Sequence, residues 1–289
     1  MIKPRRSVLY MPGSNARALE KAKTLPADAL ILDLEDAVAP DAKELARNQV
    51  CEAVKAGGYG AHKIVIRVNG FSTPYGEADF AAALEAMPDA ILLPKVESAA
   101  DLDLARKRAP KGTSLSLWAM IETPLAIFNL KEIAQAAASN ELPLTCFVLG
   151  TNDLVKATRV QPGADRLPLL AWLSLTVAAA RAYGIAVVDG VYNSIKDEEG
   201  FRAECVQGRA LGMDGKTLIH PNQLAICNEV FSPSADEIAA ATKIVDAFNL
   251  PENQGKGAIS LDGRMVERLH ADIARQTLAL AEAIAGPKH

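Results

Sequence analysis

Five carboxylates stand beside short apolar runs of this sequence, where they could bind a metal ion or transfer a proton. They are Asp33, Glu35, Asp36, Glu122 and Asp153. Crowded acids repel one another unless a cation neutralises them, which favours a functional site over helix caps or buried acids bonded to the backbone. Mg²⁺ prefers oxygen ligands and commonly keeps several waters that a substrate can displace. Glu122 and Asp153, which follow neighbouring apolar runs, are therefore predicted to form a hard-oxygen site of the kind that suits Mg²⁺.

Two basic residues follow apolar runs in the same way, Arg67 and Lys95. Arg67 could form salt bridges with the acids or contact a negatively charged substrate, and the two roles are compatible. Lys95 could form a Schiff base, but this needs a lowered lysine pKa in a dry pocket, whereas neighbouring acids raise that pKa. We therefore expect a structural or electrostatic role for Lys95. A lone histidine such as His220 is more often structural than catalytic.

The elements that must position these residues are eight short apolar runs that alternate with helical patterns. The runs are residues 7–10, 29–34, 64–68, 90–94, 115–121, 146–149, 186–189 and 217–219. Strands that alternate with helices predict parallel βαβ units, and eight of them favour an α/β fold of the (β/α)₈ TIM-barrel class. In such a barrel the reactive groups lie at the carboxyl ends of the strands. We assign residues 1–232 to this catalytic barrel.

The pattern changes after the eighth run. A helical stretch near residues 235–248 leads to a polar segment rich in Gly and Pro at 251–257, a possible short strand or turn at 258–266, and a last helix that reaches Ala285. An eight-fold barrel has no place for these elements. Residues 233–289 are therefore predicted to form a C-terminal helical extension that covers the barrel mouth or contacts a neighbouring subunit.

Composition excludes several classes of function. The chain has 289 residues, 49% of them hydrophobic, and a net charge of −4 with acids and bases interspersed. Such a surface has no general attraction for nucleic acid. The four cysteines are scattered without a zinc-binding pattern, and no apolar run is long enough to cross a membrane. These features predict a cytoplasmic protein with reduced thiols.

The ordered motifs resemble those of the citrate lyase β-subunit family, which includes malyl-CoA and citramalyl-CoA lyases. The resemblance covers nearly the whole chain, and eight matching segments occur in order. They are residues 6–13, 33–36, 67–69, 94–97, 121–123, 150–154, 189–190 with 197–200, and 215–221. It implies a Mg²⁺-dependent carbon–carbon lyase that cleaves or forms a β-hydroxyacyl-CoA, giving an acyl-CoA and a small α-oxo acid.

The resemblance also implies individual roles. Glu122 and Asp153 would bind Mg²⁺, Arg67 would contact the carbonyl or enolate oxygen, and Glu35 and Asp36 would orient Arg67 or hold waters. The residues implied to line the CoA side of the pocket are Tyr10, Lys21, Ile219 and His220.

The proton-transfer acid would be Glu267, supplied by the extension of a neighbouring subunit in a homotrimer or homohexamer. The family usually has Asp here, followed two residues later by Pro, whereas this chain has Glu267 and then Leu269. Two alternatives stay open: an aldolase that acts on free hydroxy-oxo acids without CoA, and a partner-dependent subunit of a larger lyase.

Overall fold

The computed structural model describes residues 3–139 and 141–286, and the chain divides into two compact units. One unit is Arg5–Asn228, and the other contains the first described residues and those from Glu229 onward. The predicted domain limits at residues 1 and 289 lie outside the described residues. The limit at 232 and the contact of the extension with a neighbouring subunit stay predictions.

The first unit is a closed barrel of eight parallel strands in sequence order, in which β8 pairs with β1. The predicted TIM-barrel fold is confirmed, and each strand begins and ends within a few residues of its predicted run. The strands are β1 (Ser7–Pro12), β2 (Ala29–Asp33), β3 (Lys63–Arg67), β4 (Ala90–Leu93), β5 (Ser116–Ile121), β6 (Leu144–Leu149), β7 (Ala186–Asp189) and β8 (Gly215–Leu218).

Helices follow the strands as predicted, with two differences. The sequence predicts one helix over residues 125–139, but it is broken at Asn129, which has non-helical dihedral angles. The short helices Thr151–Thr158 and Leu224–Val230 were not predicted. The helices are α1 (Ala16–Ala22), α2 (Lys43–Ala56), α3 (Gly76–Ala86), α4 (Ala99–Arg108), α5 (Pro124–Phe128), α6 (Leu130–Gln135), α7 (Thr151–Thr158), α8 (Leu170–Ala182), α9 (Glu198–Ala210) and α10 (Leu224–Val230).

Alternate residues of each strand fill the barrel. The interior cluster takes Ala29 and Ile31 from β2 and Trp118 and Met120 from β5, all buried. Gly215 lets the start of β8 approach the segment before β1 closely, as closure of the barrel requires. A Cβ at this position would lie 1.8 Å from the carbonyl oxygen of Arg5. Period-two alternation means that the next inward residue of each strand lies at the carboxyl-end mouth. The barrel therefore fixes which side chains form the site.

A buried ionic network joins β7, β8 and α9. The Lys216 ammonium lies 3.1 Å from Asp189 Oδ2 and 2.5 Å from Glu204 Oε1, and Arg166 Nη1 lies 2.9 Å from Asp189 Oδ1. Burial raises the pKa of Asp189, but Lys216 and Arg166 outweigh burial and hold that pKa below its ordinary value. The carboxylate is thus the shared counterion of two buried cations.

We expect Asp189→Asn to destabilise the protein by roughly 3–5 kcal/mol, because it leaves Lys216 and Arg166 with too little buried negative charge. A carboxylate whose folded pKa is lowered stabilises the fold above its unfolded pKa, and this contribution is lost as pH falls through the folded pKa. Urea unfolding at pH 7 and at successively lower pH measures both effects. The difference in unfolding free energy between variant and parent should narrow in acid. The control Asp103→Asn, at an exposed residue of α4, should have almost the same unfolding free energy as the parent. Equal urea midpoints at pH 7 would contradict this role.

The second unit contains α11 (Ala235–Asn249), an antiparallel hairpin of β9 (Ala258–Leu261) and β10 (Arg264–Glu267), and α12 (Arg268–Ala285). Phe248, Ile259 and Ala271 form its small buried core. Helix α12 begins after Glu267, whose backbone N–H donates to His270 Nδ1 at 3.0 Å. No helix among the described residues of either unit has the length and apolar character needed to cross a membrane.

Candidate active site

Four polar residues form the layer above the apolar barrel interior. Tyr10, Asp33 and Arg67 continue the inward columns of β1, β2 and β3, and Glu122 continues the column of Trp118 and Met120 just past β5. Asp33 and Arg67 are also directly paired in the sheet register. The predicted clustering of polar side chains at the carboxyl ends of the strands is therefore present, and Asp33 lies at its centre.

Arg67 is held from three sides. Its Nε and Nη2 donate to the two oxygens of Asp33, both at 2.6 Å, and its Nη1 lies 2.8 Å from Glu35 Oε2. The ring of Tyr10 lies under the guanidinium, with a distance of 4.8 Å from Cζ to the ring centroid. Burial lowers the pKa of Arg67, but Tyr10 and the two carboxylates raise it well above its ordinary value. Arg67 is therefore a fixed, permanent cation.

A second layer of buried polar residues supports this arrangement, and the sequence analysis did not identify it. Lys43 Nζ donates to the carbonyl oxygens of Leu34 and Glu35 and to Asn69 Oδ1, at 2.8, 2.6 and 2.9 Å. Asn69 donates in turn from its backbone and side chain to the fully buried Asp79. A charged residue on an amphipathic helix such as α2 is usually solvent-exposed, so only the tertiary fold shows that Lys43 fixes the loop that carries Glu35.

Lys95 bonds to two acids of the site, Glu122 and Glu35. Its backbone N–H donates to Glu122 Oε1 at 2.7 Å, and its ammonium donates to Glu35 Oε1 at 2.9 Å. Burial lowers the pKa of Lys95, but Glu35 and Glu122 outweigh burial and raise that pKa. This agrees with the predicted electrostatic role and disfavours a neutral amine. Its φ of 49° is left-handed, a conformation that costs a non-glycine residue about 1–3 kcal/mol and is concentrated at functional sites.

Glu122 is a buried carboxylate with an unfilled acceptor. Its Oε2 has no hydrogen-bond partner among the described residues. Burial, Glu35 and Asp153 together raise its pKa to about 8. Gly150 leaves room for this group, since a Cβ there would lie 2.6 Å from Glu122 Oε2. An unpartnered oxygen that faces other acids fits a hard cation such as Mg²⁺.

Asp153 lies half-buried in the first turn of α7, close enough for its charge to act on Glu122. The described residues contain no group of three or more Asp, Glu, His or Cys side chains arranged for a metal ion. Two carboxylates with the remaining positions left to water and substrate is a common arrangement for Mg²⁺. The roles of Glu122 and Asp153 as ligands stay predictions.

The remaining predicted residues differ in their exposure and in whether they contact Arg67. Asp36 is 63% exposed, with Oδ2 3.9 Å from Arg67 Nη1. Lys21 is exposed on α1, and Ile219 is exposed after β8. His220 Nδ1 accepts the backbone N–H of Asn222 at 3.2 Å and so caps a short turn. The ring of Tyr10 lies against Arg67, and its hydroxyl lies 4.0 Å from Met120 Sδ.

Glu267 lies in the second unit, at the end of β10. Its function as the proton-transfer acid, the CoA contacts of Tyr10, Lys21, Ile219 and His220, and the homotrimer or homohexamer stay predictions.

Comparison with known proteins decides the family. Residues 6–221 match the model of the HpcH/HpaI aldolase/citrate lyase family, and this span covers all eight barrel strands. The chain belongs to this family. The resemblance predicted from the sequence is thereby confirmed, and the family includes citrate lyase β subunits and related CoA-ester enzymes.

Relatives in this family extend over the full chain. A (3S)-malyl-CoA thioesterase of Cereibacter sphaeroides is 52% identical over 282 residues, covering 98% of this chain and 96% of that protein. The citrate lyase β subunit of Escherichia coli K12 is 35% identical over 288 residues, covering 96% and 93%. The CitE protein of Mycobacterium tuberculosis, solved with magnesium, acetoacetate and coenzyme A, is 28% identical with a TM-score of 0.77, covering 96% and 97%.

Proposed function

We propose that this chain is a Mg²⁺-dependent enzyme acting on a β-hydroxyacyl-CoA of the malyl-CoA type, and that it hydrolyses the thioester to a hydroxy acid and CoA. One observation of the structure carries the proposal. A fixed cation, Arg67, lies in the same polar layer as Glu122, whose buried Oε2 has no hydrogen-bond partner in the described part of the chain. The strong similarity to (3S)-malyl-CoA thioesterases supports the substrate and the reaction.

Glu122 and Asp153 would hold Mg²⁺, which would supply a Lewis acid and help to orient the substrate. Arg67 would stabilise negative charge on the thioester oxygen, because its guanidinium is already fixed by Asp33 and Glu35 and needs no reorganisation. Burial raises the pKa of Glu35, which strengthens this carboxylate as the base for the attacking water.

Carbon–carbon cleavage is the second candidate, because the same arrangement suits it. Removal of the hydroxyl proton would break the bond between the second and third carbons and give an acyl-CoA enolate and an α-oxo acid. The enolate oxygen would face Arg67, and Glu267 of a neighbouring subunit would protonate its carbon. The similarity to citrate lyase β subunits supports this reaction.

Two product assays on (3S)-malyl-CoA separate the two reactions. Hydrolysis releases the free thiol of CoA, which a thiol reagent detects. Carbon–carbon cleavage leaves the thioester intact as acetyl-CoA and releases glyoxylate, which phenylhydrazine detects. We expect thiol release that requires Mg²⁺ and stops with EDTA. Glyoxylate without thiol would establish the lyase reaction instead.

A folded chain that releases neither product would contradict both reactions. A panel of free hydroxy-oxo acids would then test the CoA-independent aldolase, and an acyl-carrier substrate would test the partner-dependent subunit. Citramalyl-CoA and citryl-CoA should be assayed beside (3S)-malyl-CoA, because the polar layer by itself does not select the acyl chain.

A further inference from the structure

Three cations lie around Glu35, and they differ in how many of their donors the protein already uses. Arg67 directs all three of its nitrogens at protein atoms: Nε and Nη2 at Asp33, and Nη1 at Glu35 and Met120 Sδ. Lys43 uses all three of its ammonium hydrogens on carbonyl and amide oxygens. Both side chains are buried. Arg67 and Lys43 therefore already use hydrogen-bond donors on every side-chain nitrogen for contacts within the protein.

Lys95 is different. Across residues 3–139 and 141–286, its ammonium makes one hydrogen bond, to Glu35 Oε1 at 2.9 Å, and its side chain is 52% exposed. A lysine ammonium has three donors. Two donors therefore remain for a ligand, on a side chain whose direction Glu35 fixes.

The space beside Lys95 can hold that ligand. A cavity of about 610 Å³ is lined by Glu35, Lys95, Asn69 and Thr123, together with the loop after β3. Small-molecule sites commonly have volumes of about 300–1,000 Å³. Lys95 follows β4, which lies between β3 and β5 in the barrel, so it stands between the strand that carries Arg67 and the strand that leads to Glu122. Its ammonium bonds to Glu35, the carboxylate that also contacts Arg67, and its backbone N–H bonds to Glu122.

We propose that Lys95 is a catalytic residue whose ammonium donates a hydrogen bond to the thioester oxygen of the substrate as that oxygen becomes negatively charged. This assignment rests on the proposed thioester hydrolysis. Arg67 provides the fixed positive charge behind the oxygen, and Lys95 provides the direct donors from the cavity side. The left-handed backbone of Lys95 serves the same end, because it directs the N–H to Glu122 and the side chain to Glu35 at once.

Lys95 stays protonated throughout the hydrolysis. Water adds to the thioester carbon, its proton passes to Glu35, and the carbonyl π electrons become a lone pair on the oxygen that Lys95 contacts. Collapse of this tetrahedral intermediate breaks the carbon–sulfur bond. The CoA thiolate takes the proton from Glu35, and the new carboxylic acid releases its own proton to solvent.

Two variants separate the ammonium from the backbone. Lys95→Gly keeps the N–H bonded to Glu122 and adopts a positive φ without strain, so it removes only the side chain. Lys95→Met removes the charge and keeps an unbranched side chain that is one atom shorter. We expect both to lower kcat for thiol release from (3S)-malyl-CoA by roughly 100- to 1,000-fold, because one oxyanion donor is lost. KM should stay within about three-fold of the parent, since the contact strengthens only in the transition state.

Mg²⁺ affinity, measured by calorimetry, should be unchanged in Lys95→Gly, and Lys95→Arg should recover part of kcat. A kcat within about three-fold of the parent in both the Gly and the Met variant would overturn the assignment. A normal kcat in Lys95→Gly together with a low kcat in Lys95→Met would also overturn the assignment, because loss of the ammonium by itself would then leave kcat unchanged. An active parent with active variants contradicts Lys95 alone, whereas an inactive parent contradicts the proposed function and this assignment with it.

Discussion

Arg67→Lys is expected to lower kcat on (3S)-malyl-CoA by about 100-fold or more, the scale of losing preorganised positive charge beside the developing oxyanion. Lysine is a point charge and cannot reproduce the planar fork that meets both oxygens of Asp33 at 2.6 Å. A lysine at this position would also lose the stacking on Tyr10. The charge would remain, but its position would not be fixed.

Steady-state kinetics of thiol and glyoxylate release tests this expectation. Arg181→Lys is the matched control, because Arg181 bonds to Asp214 and to the carbonyl oxygens of Ile185 and Gly212 at the opposite, amino-terminal ends of the strands. We expect the control to keep the parent kcat. If Arg67→Lys kept kcat within a few-fold, Arg67 would not be the group that stabilises the negative oxygen.

The barrel itself could be predicted because its strands are buried on all sides. Runs such as 29–34 are almost wholly apolar, and their burial in the barrel follows from the alternation with helices. A polar residue at the end of such a run stands out in the sequence. For this reason Arg67 and Glu122 could be predicted as residues of the site. Helix α7 was missed because it is a short, largely polar element that begins at the site itself.

Pairing within the site was harder to predict. The sequence places Asp33, Glu35 and Asp36 together but does not say which of them meets Arg67. The structure gives the two-point contact to Asp33 and a single contact to Glu35, and leaves Asp36 at the solvent side. Lys43, whose ammonium is buried, looks in the sequence like the other charged residues of α2. Contacts between residues distant in sequence depend on the fold, and composition or spacing does not reveal them.

The charges of the site also explain why a cation should matter for its stability. Glu122 faces the charges of Glu35 and Asp153, and burial adds to their effect, so its pKa is raised to about 8. A carboxyl whose folded pKa is raised above its unfolded value disfavours the fold increasingly as pH rises between the two values. Without Mg²⁺, the parent should therefore lose stability between about pH 5 and pH 8. Bound Mg²⁺ should restore it.

Glu122→Gln is expected to separate activity from stability. The amide cannot carry the negative charge that holds the cation, so Mg²⁺-dependent turnover should fall by about 1,000-fold or more, the scale on which removal of a metal's template role raises the barrier by several kcal/mol. In EDTA at pH 8 the same variant should unfold at a higher temperature than the parent, because its side chain cannot ionise beside Glu35 and Asp153.

Thermal unfolding from pH 5 to pH 8, with EDTA and with Mg²⁺, measures the second effect, and calorimetry measures Mg²⁺ binding. Glu85→Gln, at an exposed position of α3, is the control and should match the parent in every assay. Retention of Mg²⁺ affinity in Glu122→Gln would show that this carboxylate is not a ligand. A metal-free variant no more stable than the parent at pH 8 would mean that the parent relieves the crowded acids in another way. The two results together decide whether Glu122 serves to hold a cation. If Glu122 served only to stabilise the fold, Glu122→Gln would keep its Mg²⁺ affinity and would be less stable than the parent in EDTA at pH 8.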